Sequence, residues 1–262
     1  MGLNRMYQGG SPVAKEAMLT RKVLITSGKG GVGKSCCTVF LGQALAHHGF
    51  RVLLIELDAG LRGLDLMLGL EDRNPYDMGD ILKGRCDPYD AVSACGESRL
   101  SLLSAPSGDW SEFSQADLVW LCREIASYYD WILLDAPAGI GRGFRLGLEA
   151  ADRALLVVTP DPICVRDAAA VSSIMERTRG SGFSQRLIIN RVGRQPMGDS
   201  LPDLDAVIDQ TAVQLIGVIP EDQLLARCAA NGLALPSSAR AFQPFDNTAW
   251  RLAGIYRPLD FP

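Results

Sequence analysis

Short apolar runs alternate with amphipathic stretches along most of the chain. The runs lie at 23–25, 51–58, 100–103, 131–135, 154–159, 187–190 and 215–219, and amphipathic helical stretches lie at 36–48, 115–128 and 165–179. Runs of this kind between helices are typical of buried strands in a parallel sheet that is covered on both faces. The pattern predicts a single doubly wound, mostly parallel α/β sheet of about seven strands with helices on both faces.

The predicted domain covers residues 21–262, and no Pro/Ser-rich linker or internal repeat divides it. The first 20 residues contain Gly9-Gly10-Ser11-Pro12 and mixed charge, without the apolar segment of a signal peptide. We therefore expect residues 1–20 to form a flexible N-terminal arm. No apolar run approaches the roughly 18 to 20 residues that cross a bilayer.

The composition is that of an ordinary globular protein, with 47% hydrophobic and 21% charged residues in 262. A net charge of −4 gives no overall attraction to nucleic acid or anionic lipid. The seven cysteines are scattered and form no C-x-x-C motif. This usage favours a reducing compartment, and we expect a bacterial cytoplasmic protein.

A glycine-rich stretch, Ser27 to Ser35, separates the first apolar run from the first helical stretch. Its glycines and the Lys-Ser pair have the spacing G-x-x-x-x-G-K-[ST] of a P-loop, in which backbone N–H groups cradle phosphates. Lys34 is placed to reach the β- and γ-phosphates, and the Ser35 hydroxyl can bind Mg²⁺. A chance glycine-rich turn is the alternative, but the flanking strand and helix argue against it. The predicted ATP-binding residues of this loop are Gly28, Lys29, Gly30, Gly31, Val32, Gly33, Lys34, Ser35 and Cys36.

Two aspartates end apolar runs. Asp58 ends the second run, and Asp135 follows Trp131 to Leu134 and precedes an Ala-Pro-Ala-Gly segment. Functional groups of doubly wound sheets lie at the carboxyl ends of the strands. We therefore predict that Ser35, Asp58 and Asp135 form the Mg²⁺ site, and that the loop after Asp135 changes shape when the γ-phosphate leaves.

A second lysine, Lys29, follows the first glycine of the loop, and ordinary P-loops do not need it. Lys29 to Ser35 matches the pattern K-G-G-x-G-K-[ST], so the chain resembles the MinD/ParA family of deviant Walker A ATPases. The resemblance implies that Lys29 reaches the partner's phosphates across a homodimer that encloses ATP; a solvated loop lysine is the alternative. The implied catalytic residues are Lys29, Lys34, Asp58 and Asp135, with Asp58 orienting the attacking water.

Other segments, from about residue 22 onward, narrow the resemblance to the MinD branch of this family. The segment 58–66 is similar to D-x-G-L-R-N-L-D-L, with Gly63 in place of Asn, whereas partition ATPases have D-P-Q-G-N there. The segments 135–139, 160–167 and 217–222 resemble D-x-P-A-G, P-E-x-x-S-V-R-D and G-V-I-P-E-D. The resemblance implies an adenine contact for Asn190, although a strand-end asparagine can also cap a turn. The implied base-binding residues are Asn190, Arg191, Pro220, Glu221 and Asp222.

The chain departs from the branch at two places. Glu56 stands where MinD proteins have the first aspartate of a D-x-D pattern, which leaves the hydrolysis rate open. The branch also ends in a basic amphipathic helix that binds membranes, whereas Trp250 to Pro262 contains prolines at 258 and 262 and an aspartate at 260. We expect no membrane binding by this segment, because the prolines prevent a continuous helix.

The resemblance implies a slow, dimerising ATPase that works with a regulatory protein partner in placing the division septum. Two alternatives are a positional regulator of another assembly, such as flagella, and a DNA-dependent partition ATPase. The DNA alternative depends on an excess of arginines between 142 and 194, most of which we expect on solvated helix faces. These arginines are Arg142, Arg145, Arg153, Arg166, Arg177, Arg179, Arg186, Arg191 and Arg194. For a third class of function, a metabolic P-loop kinase or ligase, the sequence has no recognisable acceptor site.

Overall fold

The structure, a computed structural model, describes residues 20–59, 62–96, 98–108, 110–193 and 204–259. Of the predicted N-terminal arm, only Thr20 lies within this part, where its hydroxyl donates to the carbonyls of Ala126 (2.5 Å) and Tyr129 (2.8 Å). Residues 1–19 lie outside the described residues, as do Gly60, Leu61, Arg194 and the last three positions.

Strands and helices alternate through the described residues. The strands are β1 Arg21–Thr26, β2 Val52–Glu56, β3 Val92–Ala94, β4 Leu100–Leu103, β5 Trp131–Asp135, β6 Arg153–Val158, β7 Ser184–Val192 and β8 Leu215–Pro220. The helices are α1 Lys34–His47, α2 Leu64–Leu68, α3 Met78–Leu82, α4 Gln115–Ile125, α5 Arg142–Ala150, α6 Pro162–Arg179, α7 Leu204–Thr211, α8 Gln223–Ala230 and α9 Gln243–Leu252. Short 3₁₀ helices lie at Trp110–Glu112, Ala126–Tyr128 and Arg240–Phe242.

The strands of this part of the chain form one sheet in the order β3-β4-β2-β5-β1-β6-β7-β8. All neighbouring pairs are parallel except β3 with β4, which is antiparallel. The predicted mostly parallel, doubly wound sheet is therefore confirmed, and all seven predicted strands are present. The eighth, β3, is a half-exposed edge strand of three residues.

The centre of the sheet is buried on both faces. Every residue of β2 and β5 is buried, because helices cover these strands from either side. On one face α1 packs against α9, whereas α4 packs against α5 and α6 against α7. Helix α1 connects β1 to β2 in one direction along the sheet, whereas α5 and α6 belong to connections that run in the other direction. Because such crossovers are right-handed, α1 lies on the opposite face from α5 and α6.

This reversal places the start of α1 at a topological switch point. The chain leaves β1 toward β2 on one side, and it leaves β5 toward β6 on the other. Ligands of open α/β sheets bind in the crevice that such a reversal opens beyond the carboxyl ends of the strands. Among the helices of the described residues, none is long and apolar enough to cross a membrane.

Candidate functional site

The predicted P-loop connects β1 with α1. Gly31 and Gly33 have φ values of 81° and 87°, a left-handed conformation that favours glycine. Gly28 lies against the backbone of α6, since a Cβ placed there would stand 2.4 Å from the carbonyl carbon of Asp167. The glycines therefore allow the loop to curl tightly and to lie directly on a neighbouring helix.

Asp135, at the end of β5, accepts hydrogen bonds from the start of α1. Its Oδ1 lies 2.9 Å from Lys34 Nζ and 2.7 Å from Thr38 Oγ1, and its Oδ2 lies 2.7 Å from Ser35 Oγ. The carboxylate is 2% exposed, and Lys34 balances its charge. The structure thus brings together three of the predicted site residues and adds Thr38.

Two further acidic residues lie at the end of β2, next to β5. Asp58 is partly exposed; burial raises its pKa, while the nearby Lys34 charge opposes that rise. Glu56, paired with Asp135 across the two strands, is 2% exposed. Burial raises the pKa of Glu56 to about 7, although its Oε1 accepts the backbone N–H groups of Gly63 (2.7 Å) and Leu64 (3.1 Å).

The described residues 58–59 and 62–64, which we call the Asp58 segment, are also fastened through Arg62. Arg62 Nη2 donates to Asp77 Oδ2 at 2.7 Å and to Ser107 Oγ at 2.9 Å. Asp77 is buried, and it caps α3 through the N–H groups of Gly79 and Asp80. The Asp58 segment is therefore joined both to the sheet and to the first turn of α3.

Beside the P-loop lies a cavity of about 240 Å³. All the residues predicted to contact the base line this cavity, and apolar side chains form much of the rest of its wall. Asn190 Nδ2 donates to the Val32 carbonyl at 2.8 Å, which fastens the P-loop to β7. The cavity is lined by Gly33, Cys36, Cys37, Phe40, Asn190, Arg191, Pro220, Glu221, Asp222, Gln223, Leu225, Ala226 and Phe245.

Lys29 stands apart from these contacts. Its side chain is exposed, and so are Gly30 and Gly31 beside it. The charge of Lys29 contributes to lowering the pKa of Asp161, the N-cap of α6, after the larger effect of the Cys164 N–H group. The two lysines of the loop thus point to different surroundings, Lys34 inward to Asp135 and Lys29 outward.

The donor set at the start of α1 fits Mg²⁺. Ser35 Oγ and Asp135 Oδ2 are oxygen atoms 2.7 Å apart. Asp58 was predicted to end the adjacent strand, but β2 ends at Glu56 and Asp58 lies two residues beyond it. Magnesium prefers such hard oxygen ligands and is commonly held by one or two carboxylates together with substrate phosphates. These residues can hold the ion where the phosphate cradle meets the sheet.

Several site residues were not predicted. Thr38 lies one helical turn after Lys34, so the i, i+4 spacing could have indicated it. Phe40 and Phe245 pack with ring centroids 5.5 Å apart in the cavity wall, although about 200 positions separate them in the sequence. No local pattern indicates that contact, nor the junction of Arg62 with Asp77.

Comparison with known proteins agrees with this geometry. Residues 23–235 match the CobQ/CobB/MinD/ParA nucleotide binding domain. The septum site-determining protein MinD of Bacillus subtilis (strain 168) is 33% identical over 244 residues, which cover 90% of each chain.

Two solved structures share the fold at similar identity. The MinC:MinD cell division protein complex of Aquifex aeolicus has a TM-score of 0.83 at 35% identity, covering 92% of this chain and 99% of the other. MinD of Pyrococcus horikoshii OT3, complexed with Mg-ADP, has a TM-score of 0.77 at 28% identity, covering 89% and 96%. The resemblance seen in the motifs is confirmed, and the chain belongs to the MinD branch of the CobQ/CobB/MinD/ParA family.

Proposed function

We propose that this protein is an ATPase that acts as an ATP-dependent switch in placing the cell-division septum. One observation carries the catalytic part of the proposal: Lys34, Ser35 and Thr38 converge on the buried Asp135 at the carboxyl edge of the sheet. The cellular part is supported by relatives named septum site-determining protein MinD, one of which matches 90% of this chain.

The chain's own residues position and stabilise the phosphates. Phosphoryl transfer needs little covalent help from the protein, so catalysis depends on orientation and on charge stabilisation. The P-loop amides and Lys34 bind the β- and γ-phosphates, while Ser35 and Asp135 hold Mg²⁺. The ion, when bound, neutralises charge that develops on the phosphate oxygens. Asp58 orients the attacking water from the neighbouring strand end.

The base occupies the cavity beside the loop. Its volume of about 240 Å³ and its mixed lining suit a planar purine held between apolar walls, with polar groups at one rim. Asn190, Arg191, Pro220, Glu221 and Asp222 contact the base. Cys36 also lines this cavity, so nucleotide should shield its thiol from a maleimide reagent.

Hydrolysis is slow and depends on dimerisation. The supporting observation is the exposure of Lys29, whose ammonium group is free to approach the phosphates of a second copy. The match of Lys29 to Ser35 with the family motif K-G-G-x-G-K-[ST] implies that Lys29 completes the site of the partner. ATP thereby joins two copies, and loss of the γ-phosphate separates them.

A regulatory protein binds the ATP-joined form. The Aquifex aeolicus neighbour is a MinC:MinD cell division protein complex, and this chain covers 99% of the matched chain. We therefore expect a MinC-like protein to bind this chain when ATP is present.

DNA binding receives less support than ATP binding. Several of the arginines that suggested DNA binding are engaged within the chain: Arg142 donates to the Phe113 carbonyl, Arg179 to that of Leu148 and Arg186 to that of Gln185. The flagellar and partition alternatives are not favoured by the relatives.

Phosphate release from ATP, with and without a MinC-like partner, tests the activity, and Lys34→Ala serves as the inactive control. Sedimentation with anionic liposomes or with DNA in the presence of ATP tests the surface-binding alternatives. In the source organism, deletion of the gene should misplace septa, and the wild-type gene but not Lys34→Ala should restore them. Normal septa after deletion would refute the cellular role.

A further inference from the structure

Glu56 uses its side chain on the backbone of the next segment and not on the P-loop. It ends β2, is 2% exposed, and its Oε1 accepts the N–H groups of Gly63 (2.7 Å) and Leu64 (3.1 Å). We propose that Glu56 is a positioning residue, which holds the start of α2 and thereby the Asp58 segment in place for ATP hydrolysis. The inference rests on the proposed ATPase function.

The two hydrogen bonds replace a missing helix cap. Gly63 is the N-cap of α2 and Leu64 its first residue, and no side-chain hydrogen bond from the N-cap satisfies the end of this helix. The N–H groups of a helix start need acceptors, and a carboxylate is a strong one. Glu56 supplies that acceptor from the sheet, so strand and helix are joined through a single buried group.

The Asp58 segment is held at both of its ends. On the side of the sheet, the Leu57 N–H donates to the Asp135 carbonyl at 2.9 Å, immediately before Asp58. At the far end, Glu56 holds Gly63 and Leu64. If the Glu56 contacts are lost, we expect Asp58 to be restrained mainly through Leu57.

Arg62, directly before Gly63, makes a second set of contacts at this end of the segment. It donates to Asp77 (2.7 Å), Ser107 (2.9 Å) and the Ala105 carbonyl (3.0 Å). Residues 62–64 thus lie between a buried acid of the sheet and a buried acid at the start of α3. Arg62 cannot replace Glu56, because a guanidinium group has no acceptor for the N–H groups of Gly63 and Leu64.

Asp135 and Glu56 lie at the ends of neighbouring strands, but their side chains contact different parts of the protein. Asp135, paired with Glu56 in the sheet, accepts from Lys34, Ser35 and Thr38. Among the described residues, Glu56 forms no hydrogen bond to any of these three, and its second oxygen, Oε2, is buried without a hydrogen-bond partner. Glu56 is therefore placed to act through the Asp58 segment and not on the nucleotide.

Side-chain length distinguishes glutamate from aspartate at this position. Shortening the side chain by one C–C bond withdraws the carboxylate by about 1.5 Å. The 2.7 Å contact with the Gly63 N–H would then lengthen to roughly 4 Å, beyond hydrogen-bond range. Glutamine keeps both the length and the acceptor oxygen. The pair Glu56→Asp and Glu56→Gln therefore separates reach from charge.

Hydrogen exchange tests the contact without reference to catalysis. In Glu56→Asp, the Gly63 and Leu64 amides should exchange about tenfold faster, the factor expected for loss of a hydrogen bond of ordinary net strength. In Glu56→Gln, and in the matched control Glu124→Asp on the exposed face of α4, exchange should stay near the wild-type rate. Wild-type protection in Glu56→Asp, or equal loss of protection in Glu56→Gln, would overturn the proposal.

Kinetics test the consequence. Glu56→Asp should lower kcat by about tenfold, while the Kd for ATP stays within about twofold of wild type and Glu56→Gln restores kcat. A weakened Kd would place Glu56 among the nucleotide contacts, and faster exchange without a change in kcat would show that the contact does not position Asp58; either result refutes the proposal. If the wild-type protein hydrolyses no ATP, the proposed function fails, and the exchange experiment still decides whether Glu56 holds the segment.

Discussion

Lys34 Nζ lies 2.9 Å from Asp135 Oδ1, so the P-loop lysine and the aspartate at the end of β5 form a buried ion pair. Ser35 and Thr38 donate to the same carboxylate. The first turn of α1 is thereby fastened to the central strand next to β1. In the proposed ATP complex, the phosphate oxygens would compete with Asp135 for the same ammonium group.

Lys34→Ala should abolish ATP binding, because no other inward-facing cation of the loop reaches the phosphates. It should also lower the free energy of unfolding by about 3–5 kcal/mol, since it leaves Asp135 buried without its countercharge. Calorimetry with Mg-ATP measures the first effect, and thermal unfolding measures the second. Unchanged ATP affinity would remove Lys34 from the site.

Two controls separate these effects. Lys22→Ala removes the lysine of a surface ion pair, with Asp152 at 3.0 Å, and should cost at most about 1 kcal/mol because both partners are partly exposed. The double variant Lys34→Ala/Asp135→Asn should regain much of the lost stability, because the buried charge is gone, and should still bind no ATP. Recovery of binding in the double variant would contradict the assigned role of Lys34.

If Asp58 orients the attacking water and does not hold the phosphates, as proposed, Asp58→Asn should leave the Kd for ATP near the wild-type value and slow hydrolysis by about a hundredfold. Light scattering should show ATP-joined dimers that persist longer. The matched control is Asp72→Asn, an exposed residue with φ 54°, a conformation that asparagine adopts readily. Hydrolysis at the wild-type rate in Asp58→Asn would turn attention to Asp135 as the residue that acts on the water.

The sequence predicts most of this fold because buried parallel strands are continuous apolar runs, as in β2 and β5. It does not indicate β3, since Val92–Ala94 has only three half-exposed residues and depends on β4 for its pairing. The P-loop and Asp135 can likewise be predicted from the sequence, because the local spacing of residues defines them. The contacts of Glu56 with Gly63 and of Arg62 with Asp77 are not, since they depend on how segments meet in space.

Gly28→Ala should destabilise the protein through the contact of the P-loop with α6. The added methyl group would stand 2.4 Å from the carbonyl carbon of Asp167 and 2.7 Å from the nitrogen of Ala168, and backbone atoms of a helix cannot move aside easily. We expect a loss of about 1–3 kcal/mol, as for other overpacked sites. Gly30→Ala is the matched control, because nothing lies within 4 Å of a Cβ at that exposed position. Equal melting temperatures for the two variants would show that the P-loop does not lie on α6 in this way.

Lys29→Ala should bind ATP with little change in Kd, because Lys34 supplies the inward charge, but it should fail to dimerise fully and should hydrolyse slowly.

A mixing experiment decides whether Lys29 acts on its own site or on its partner's. When Lys29→Ala is mixed with Asp58→Ala, half of the dimers formed by random association are mixed. If Lys29 acts across the dimer, one of the two sites in each mixed dimer has Asp58 and receives Lys29 from the partner, so activity should return to roughly a quarter of wild type. If Lys29 acts within its own chain, no site in the mixture is complete and activity should stay at the level of the separate variants. Activity that remains at that low level, although co-purification of differently tagged variants shows mixed dimers, would therefore refute the action of Lys29 across the interface.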